Sequence, residues 1–388
     1  MPEPPRADET QDARWMRQAL QLAEASIGMA SPNPRVGCVL VKHGIVVGRG
    51  AHQYDRKDHA EIVALNDAGP QARGATAYVT LEPCAHTGRT APCAEALLKA
   101  GVARVVAATG DPNPLVNGQG FAMLREKDVA VTVGVMPDQA RALNDGFARW
   151  IKHKLPFVTL KAGVSLDGRI APPRAQKPAG SVAYLTGARS LLAVQKLRHS
   201  VDAVLTGIGT VLEDNPLLTD RSGGARRRAL LRVVLDSGLQ LPVASRLVQT
   251  AQNDVLVCTA ATTEDRAHRE RWNALEAAGI QVRAVGAAPE GGLNLEAVLR
   301  LLGEGYGVLN VLTEGGSRLN RALLGSEYGA PIADKLCLFY APMFLGEAGV
   351  PLVAGGLPVP MELRRFTVAE SGSDFRMEAY LRDPWRDF

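Results

Sequence analysis

Four residues have the types and the spacing for hydrolytic chemistry at a metal ion. His59-Ala60-Glu61 is followed by Pro83-Cys84 and then by Pro92-Cys93. One imidazole and two thiolates form a three-ligand zinc set that leaves a fourth position open for water. Zinc lowers the pKa of such a water to about 7. Glu61 follows the histidine by two residues, so it can take the water proton and pass it to a leaving amine.

The order of these residues matches a known signature only in part. His-x-Glu followed by Pro-Cys-x-x-Cys marks the zinc deaminases that act on nucleobases. Here eight residues separate Cys84 from Cys93, where that signature has two. Two other interpretations stay open. The residues could be ordinary buried cysteines and a surface histidine, or His86 or Cys38 could complete a four-ligand structural zinc site.

Two glycine-containing segments in the second half of the chain could hold a phosphorylated cofactor. Gly207-x-Gly209-Thr210 follows a predicted strand, and Glu314-Gly315-Gly316-Ser317 lies between a predicted strand and a predicted helix. Backbone N–H groups at such junctions bind phosphate. No Gly-x-Gly-x-x-Gly follows the first strand of this half, so a Rossmann dehydrogenase is not supported. Each segment taken alone is also typical of a tight αβ turn.

The apolar pattern predicts two alternating α/β units that would position these residues. Helices are predicted over residues 13–28, 59–67, 93–100, 190–198, 266–278, 295–302 and 319–324. Strands are predicted over residues 38–41, 45–48, 77–81, 102–108, 157–164, 203–205, 232–236, 254–259, 308–313 and 335–340. In the second unit we expect a mostly parallel sheet with helices on both faces. The charged stretch 152–156 ends in proline, which predicts domains at 13–150 and 151–388.

Composition narrows the class of protein. The chain has 388 residues with ordinary globular composition and a net charge of +4, too weak to imply a nucleic-acid partner. No apolar run is long enough to span a membrane. Five cysteines at irregular spacing argue against a disulfide framework. Residues 1–12 are rich in proline and acidic residues, so we expect a disordered tail on a cytoplasmic protein.

Longer stretches around these motifs resemble one family, the bifunctional deaminase/reductases of riboflavin biosynthesis. The similar stretches are 32–38, 59–61, 78–93, 111–114, 116–120, 160–161, 165–169, 207–221 and 313–316. The long insert between the two cysteines separates this family from cytidine and transfer-RNA deaminases. The resemblance implies an α/β chain with a cytidine-deaminase-like three-layer N-terminal domain and a dihydrofolate-reductase-like C-terminal domain.

The resemblance also implies two consecutive reactions and two cofactors. The first domain would use Zn²⁺ to hydrolyse an amino group of a diamino-pyrimidinone ribosylamine phosphate and release ammonia. The second would use NADPH to reduce the ribosyl group to a ribityl chain. The family further suggests a homo-oligomer whose partners are phosphorylated pyrimidines of low molecular mass.

Residue roles follow by similarity to the family. Asn33, His86 and Arg89 would line the deaminase pocket, and His52 either lines it too or is a solvated histidine at a strand end. The residues assigned to the reductase substrate are Lys161, Arg198, Leu218, Arg221 and Glu314. The two arginines suit a sugar phosphate, because guanidinium groups bind phosphate oxygens in pairs.

The cofactor contacts also follow from the family. They are Val164, Tyr184, Thr210, Asp214, Ser237, Gly316, Ser317, Arg318, Leu319, Asn320, Arg321 and Ala322. Lys161 and Asp214 are also candidates to hydrogen-bond the sugar, although Asp214 in Asp214-Asn215-Pro216 is equally typical of a turn cap.

The chain departs from the family at one segment. The family usually has a tryptophan after a short Ser-Gly loop, whereas here a longer proline-rich loop precedes Ala183-Tyr184-Leu185-Thr186-Gly187. Tyr184 keeps an aromatic ring for the nicotinamide.

Two functions from other classes compete with this reading. One is a deaminase acting on transfer RNA with an appended binding domain, which needs a basic face interleaved with aromatic residues. Aromatic residues are only 5% of this chain. The other is a non-catalytic binding module with a structural zinc ion, in which Glu61 would have no role in activity.

Overall fold

The chain folds into two compact units. The structure is a computed structural model that describes residues 10–85, 91–173, 184–260, 262, 264–288, 291–325, 331–357 and 359–386. Its contacts assign Met1–His153 and Ala225–Arg227 to the first unit, and Lys154–Gly224 and Arg228–Phe388 to the second. The predicted boundary after residue 150 lies inside a helix, Asp145–His153, of the first unit.

The first unit is a sheet covered by helices. Its helices are α1 Gln11–Ala25, α2 Ala60–Ala68, α3 Cys93–Ala100, α4 Gln119–Arg125, α5 Pro137–Leu143 and α6 Asp145–His153. Its strands are β1 Gly37–Lys42, β2 Ile45–Ala51, β3 Thr76–Val79, β4 Arg104–Ala107 and β5 Ala130–Val133. Over the described residues the sheet order is β2-β1-β3-β4-β5, with β3, β4 and β5 parallel and β1 antiparallel to both of its neighbours.

Glycines on the two faces of this sheet let helices approach closely. A Cβ atom on Gly37 of β1 would lie 2.0 Å from the Ala19 carbonyl oxygen of α1. A Cβ atom on Gly50 of β2 would lie 2.0 Å from the Ala60 carbonyl oxygen of α2. Gly50 pairs with Cys38, the residue after Gly37, and side chains alternate along a strand. Helices α1 and α2 therefore cover opposite faces, and the unit has three layers.

The N-terminal prediction is corrected at residues 10–12. Thr10 is the N-cap of α1 and its hydroxyl accepts a hydrogen bond from the Ala13 backbone N–H. Asp12 lies in the first turn, where its carboxylate accepts two hydrogen bonds from Arg104, at 2.9 and 2.7 Å, and one from the Tyr78 hydroxyl at 2.9 Å. These partners are far away in sequence, so the acidic composition of the segment did not reveal them. Residues 1–9 of the predicted tail lie outside the described residues.

The second unit is built on one large sheet. Its helices are α7 Ala188–Ser200, α8 Ile208–Asp214, α9 Arg246–Gln249, α10 Arg266–Ala277, α11 Leu295–Arg300 and α12 Ser317–Leu324. Its strands are β6 Phe157–Ser165, β7 Arg169–Ala171, β8 Ala203–Gly207, β9 Leu231–Leu235, β10 Val255–Thr259, β11 Gln281–Ala284, β12 Asn310–Thr313, β13 Lys335–Ala341, β14 Val350–Pro351, β15 Arg364–Ser371 and β16 Asp374–Tyr380.

The large sheet is mostly parallel, as predicted. Among the described residues its order is β11-β10-β9-β8-β12-β6-β13-β16-β15. The strands from β11 to β13 are parallel, whereas β16 is antiparallel to both β13 and β15. One apolar cluster joins this sheet to α11 and α12, and another joins it to α8, α9 and α10. The prediction of helices on both faces is confirmed.

The C-terminal hairpin of β15 and β16 was not predicted. All residues of β15 before Ser371 are exposed, so the strand lacks the alternation of buried and exposed residues by which strands are recognised in a sequence. Within the described ranges, none of the helices is both long and apolar enough to cross a membrane.

Candidate functional site

The three predicted zinc ligands converge at the ends of secondary-structure elements in the first unit. His59 is the N-cap residue of α2, Cys93 is the first residue of α3, and Cys84 follows β3. The Nδ1 atom of His59 lies 3.2 Å from the Cys93 sulfur and 3.6 Å from the Cys84 sulfur. The Cys93 backbone N–H also donates to the Cys84 sulfur, at 3.3 Å. The interpretation as unrelated cysteines and a surface histidine is therefore wrong.

The donor set fits a zinc ion. The ligand atoms of His59, Cys84 and Cys93 all lie within 4.8 Å of one another. One imidazole nitrogen and two sulfurs are ligands that zinc prefers. Among the described residues, Cys38 does not join this group. His86, the other candidate for a fourth ligand, lies outside the described residues, as does Arg89.

The two cysteines differ in acidity because they contact each other. Hydrogen bonding to Cys93 lowers the pKa of the Cys84 thiol below its usual range, although burial acts in the other direction. The hydrogen bond to Cys84 and burial both raise the pKa of Cys93. Cys84 is therefore the more acidic thiol of the pair, and a coordinated dication would favour the thiolate form of both cysteines.

Glu61 lies in the first turn of α2, one residue beyond the first helical position. Its side chain is only 3% exposed. Burial raises the pKa of its carboxyl to about 7, against the opposing influence of the His59 charge. A carboxyl group with such a pKa both accepts and donates protons near neutrality, as proton transfer between water and a leaving amine requires.

Asn33 and His52 lie beside the ligands as a connected pair. The Asn33 Nδ2 atom is 3.0 Å from the His52 Nε2 atom, and the His52 ring stands edge-on to the His59 ring with centroids 5.5 Å apart. His52 is 3% exposed, so it is not a solvated histidine at a strand end. Burial lowers the pKa of His52.

The sequence did not reveal the role of Glu82, two residues before Cys84. Its buried carboxylate accepts hydrogen bonds from the backbone N–H groups of Asp111, Gly118 and Gly120, at 3.2, 2.9 and 2.9 Å. Glu82 therefore ties the Cys84 segment to the start of α4. The only signal in the sequence is that residues 78–93 and 111–120 both belong to the family-like stretches.

In the second unit, Lys161, Arg198 and Glu314 form one charge cluster, in which Arg198 is buried and Lys161 and Glu314 are half-buried. Glu314 follows β12, Lys161 lies on the neighbouring strand β6, and Arg198 lies on α7. The Arg198 guanidinium donates to both Glu314 carboxylate oxygens, at 2.6 and 3.1 Å, and the Lys161 Nζ atom is 3.5 Å from Glu314 Oε2. Burial acts to raise the pKa of Glu314, but the positive charges of Lys161 and Arg198 outweigh it and lower the pKa to about 2.

The two glycine-containing segments meet near this cluster. A Cβ atom on Gly316 would lie 3.8 Å from the Thr210 hydroxyl oxygen. At the start of α12, the Ser317 hydroxyl oxygen and the Asn320 Oδ1 atom are buried without a hydrogen-bond partner among the described residues. Buried polar atoms without partners are rare in folded proteins, and a bound ligand would satisfy them. These residues therefore fit a cofactor such as NADPH.

The other predicted reductase residues all belong to the second unit and differ in burial. Val164 and Leu218 are buried, whereas Tyr184, Arg221, Ser237, Arg318, Arg321 and Ala322 are exposed. Asp214 is the last residue of α8 and is half-buried, as is Leu319 on α12. The proline-rich loop before Tyr184 lies outside the described residues from 174 to 183.

Comparisons with known proteins find a family model for each half of the chain. The family model for the RibD C-terminal domain matches residues 156–375, and the model for the cytidine and deoxycytidylate deaminase zinc-binding region matches residues 9–109. The riboflavin biosynthesis protein RibD of Aquifex aeolicus is 38% identical and covers 87% of this chain and 88% of its own length. For RibD of Escherichia coli the identity is 39%, with 87% and 89% covered.

Solved structures agree as well. Acinetobacter baumannii RibD superposes with a TM-score of 0.79 at 35% identity, covering 95% of this chain and 98% of its own. A Thermotoga maritima protein described as a diaminohydroxyphosphoribosylaminopyrimidine deaminase/5-amino-6-(5-phosphoribosylamino)uracil reductase gives a TM-score of 0.77 at 32% identity, with 95% and 98% covered. A nucleic-acid-acting deaminase with an appended domain is not favoured by these matches. The chain belongs to the RibD family of bifunctional riboflavin biosynthesis enzymes, which join a zinc-dependent deaminase domain to an NADPH-dependent reductase domain.

Proposed function

We propose that the first unit hydrolyses an amino group of diaminohydroxyphosphoribosylaminopyrimidine. The second unit then reduces the ribosyl group of 5-amino-6-(5-phosphoribosylamino)uracil with NADPH. The observation that carries the proposal is the convergence of His59, Cys84 and Cys93 next to the buried Glu61. The T. maritima relative is described by the same two activities.

In the first unit, His59, Cys84 and Cys93 would hold the zinc ion, which supplies a Lewis acid that lowers the pKa of water. Glu61 takes a proton from the attacking water as the new C–O bond forms and the electron pair of the ring C=N bond moves to the ring nitrogen. It returns that proton to the amine as the C–N bond breaks, so that neutral ammonia leaves. Because Glu61 is buried, bulk water does not compete for this proton. A non-catalytic binding module would give Glu61 no such role, and under this proposal residues 13–150 are assigned to the deaminase domain.

The remaining deaminase residues bind the pyrimidine. The amide of Asn33 reads hydrogen-bonding groups on the edge of the ring. His86 and Arg89 carry donors that suit a phosphate. Asn33 is supported by its position beside His52 and the ligand His59.

In the second unit, residues 151–388, the chain positions sugar and cofactor for hydride transfer. Glu314 is held by Lys161 and Arg198, so its carboxylate is a fixed hydrogen-bond acceptor for the sugar hydroxyls. Arg198, Leu218 and Arg221 complete the proposed substrate contacts. The Arg198 guanidinium donates to Glu314 and to the Thr219 carbonyl oxygen, so the exposed Arg221 is the arginine that suits the phosphate. The cofactor contacts are those named from the family, with Ser317 and Asn320 supported by their unpartnered polar atoms.

We also propose a cytoplasmic homo-oligomer that acts on small molecules and does not bind nucleic acid. All five cysteines lie in the described part of the chain and none of them forms a disulfide, which supports a reducing compartment. The weak net charge of +4 supports small phosphorylated substrates over a polyanion. The exposed edge strand β15 supports self-association.

The variant Glu61→Gln tests the deaminase mechanism. It keeps the size of the side chain but cannot accept the water proton, so we expect ammonia release to fall by about a thousandfold. NADPH oxidation with the deaminated pyrimidine supplied directly is expected to stay at the wild-type rate, and the metal content to remain one zinc ion per chain. Ammonia release from Glu61→Gln at the wild-type rate would refute the mechanism.

A further inference from the structure

The His52 side chain is held between two groups of the first unit. Its Nδ1 atom lies 2.8 Å from the backbone carbonyl oxygen of Asp58, and its Nε2 atom lies 3.0 Å from Asn33 Nδ2. The His52 backbone N–H donates to the Val36 carbonyl oxygen at 3.0 Å. The backbone and both ring nitrogens are therefore fixed, which leaves the ring little rotational freedom.

These two contacts determine which ring nitrogen carries the proton. A carbonyl oxygen only accepts hydrogen bonds, so the Nδ1 atom of His52 must be the protonated nitrogen that donates to Asp58. In a neutral ring the Nε2 atom then has a lone pair and only accepts. The Nε2 contact is made by the Nδ2 atom of Asn33, an amide nitrogen that only donates, so the ring carries one proton, on Nδ1.

The tautomer of His52 in turn determines the orientation of the Asn33 amide. Only the NH2 group of an amide can donate to the Nε2 lone pair, so the Oδ1 atom of Asn33 must point away from His52. In the part of the chain that the structure describes, this Oδ1 atom has no hydrogen-bond partner. It is an oriented acceptor beside the ligand histidine.

We propose that His52 is a positioning residue that acts through Asn33. It holds the Asn33 amide so that Oδ1 faces the bound pyrimidine and accepts a hydrogen bond from an N–H donor on the ring edge. This inference rests on the proposed deaminase function, because that function supplies the pyrimidine to which Asn33 would hydrogen-bond. If the Asn33 amide were flipped, its NH2 group would face the N–H donor of the pyrimidine, and two donors repel each other.

The inference specifies the chemistry of the substrate edge. An acceptor at Oδ1 selects pyrimidines that carry a ring N–H or an exocyclic amino group at that position. A pyrimidine with a bare ring nitrogen there would leave the Asn33 acceptor unpaired in a partly buried site. Such an unpaired contact weakens binding by about tenfold or more.

The first test measures the tautomer without any activity assay. The zinc-loaded full chain, labelled with 15N in its histidines, is examined by long-range proton–nitrogen NMR, and the His52 signals are identified by their loss in His52→Leu. We expect a protonated Nδ1 and an unprotonated Nε2 in the wild-type protein. A proton on Nε2 would overturn the inference while leaving the proposed function intact.

The second test uses kinetics of ammonia release. We expect His52→Leu to raise KM for the phosphorylated diaminopyrimidine by about tenfold with a smaller change in kcat, because Asn33 can then flip. His52→Gln, which keeps one donor and one acceptor, is expected to restore most of the affinity. In an Asn33→Ala background, His52→Leu should add little, because a positioning residue has no effect without the residue that it positions.

The outcomes separate the inference from the function on which it rests. Equal and independent losses from Asn33→Ala and His52→Leu would show that His52 does not act through Asn33. Unchanged zinc content and NADPH oxidation in His52→Leu would show that the chain is folded. A wild-type protein that releases no ammonia would instead contradict the proposed function.

Discussion

Glu61 and Glu314 show how one side-chain type acquires two roles. Glu61 has no arginine or lysine hydrogen-bonded to it among the described residues, and burial raises the pKa of its carboxyl to about 7. Glu314 contacts Lys161 and Arg198, whose charges overcome burial and lower its pKa to about 2. The first carboxyl can exchange a proton near neutral pH, whereas the second is a permanent anion. The environment of each glutamate therefore agrees with proton transfer in one unit and fixed positioning in the other.

Glu314→Gln is expected to destabilise the second unit. The substitution removes the negative charge that compensates Lys161 and Arg198, whose side chains are only 17% and 10% exposed. An unpaired buried charge costs about 3 kcal/mol of unfolding free energy. Urea denaturation followed by circular dichroism measures this difference. Glu296→Gln is the matched control, because Glu296 pairs with Arg300 on an exposed helical face and should cost less than about 0.5 kcal/mol.

The difference in unfolding free energy between wild type and Glu314→Gln should decrease as the pH falls. The pKa of Glu314 is lowered in the folded protein from an ordinary value of 4.5 to about 2. Its stabilising contribution is therefore complete above pH 4.5 and is lost as the pH falls from there toward 2. A difference that stays constant down to pH 3, about one unit above the folded pKa, would contradict the assigned ion pairs.

At the residue level, functional side chains that belong to a sequence motif were predicted correctly. Side chains whose role depends on contacts with distant backbone groups were missed or left ambiguous. His59, Glu61, Cys84 and Cys93 were identified because their types and order carry the chemistry. Glu82 was missed because its partners include backbone N–H groups 36 and 38 residues away, which have no side-chain signature. His52 was left ambiguous for the same reason, since one of its partners is the carbonyl oxygen of Asp58.

At the level of elements, the position of α2 depends on glycines in β2. Helix α2 carries Glu61 and begins directly after His59, so its distance from the sheet sets the geometry of the deaminase site. A Cβ atom on Gly50 would lie 2.0 Å from the Ala60 carbonyl oxygen, and one on Gly48 would lie 2.3 Å from the Ala64 carbonyl oxygen. Glycine is required at both positions because the backbone of α2 lies so close to the backbone of β2 that a side chain would not fit.

Gly50→Ala should therefore disturb the zinc site without touching a ligand. The new methyl group must push α2 away from β2, at a cost of about 3 kcal/mol in unfolding free energy. We expect substoichiometric zinc and a large loss of ammonia release, measured by metal analysis and an ammonia assay. Gly44→Ala is the control: it has φ of +73° but no atom within 4 Å of its Cβ position. Left-handed strain there costs about 1 kcal/mol. Full zinc occupancy in Gly50→Ala would contradict this account.

The sequence pattern predicted the strands that have several buried apolar residues. It did not predict the strands that have almost no buried residue. Strands β6 and β13 were recognised because buried apolar residues dominate them. Strand β5 has no buried residue, and β15 has only Ser371, so neither gave a hydrophobic pattern. Their place in the sheets is set by backbone hydrogen bonds to β4 and β16, which composition does not encode.

At the scale of the whole molecule, the large sheet of the second unit has an edge with which no other described strand pairs. Strand β15 ends the large sheet, and its residues Phe366 and Val368 are 66% and 58% exposed. Val368 and Phe375 lie on the same face, since their cross-strand pairs are Met377 and Glu370 and side chains two apart share a face. An exposed edge strand with apolar side chains is a site for pairing with another strand. A second copy of this chain is the occupant that agrees with the proposed homo-oligomer.

The double variant Phe366→Lys/Val368→Lys should reduce the mass of the particle in solution. Two lysines at the edge introduce like charges across a two-fold interface and remove the apolar area that pairing would bury. By light scattering after size exclusion, we expect the wild type at a multiple of 41.3 kDa and the variant nearer to 41.3 kDa. Val359→Lys is the matched control, because Val359 is 68% exposed in the same unit but lies outside the strands. A monomeric wild type, or a double variant of unchanged mass, would show that β15 is not where two copies meet.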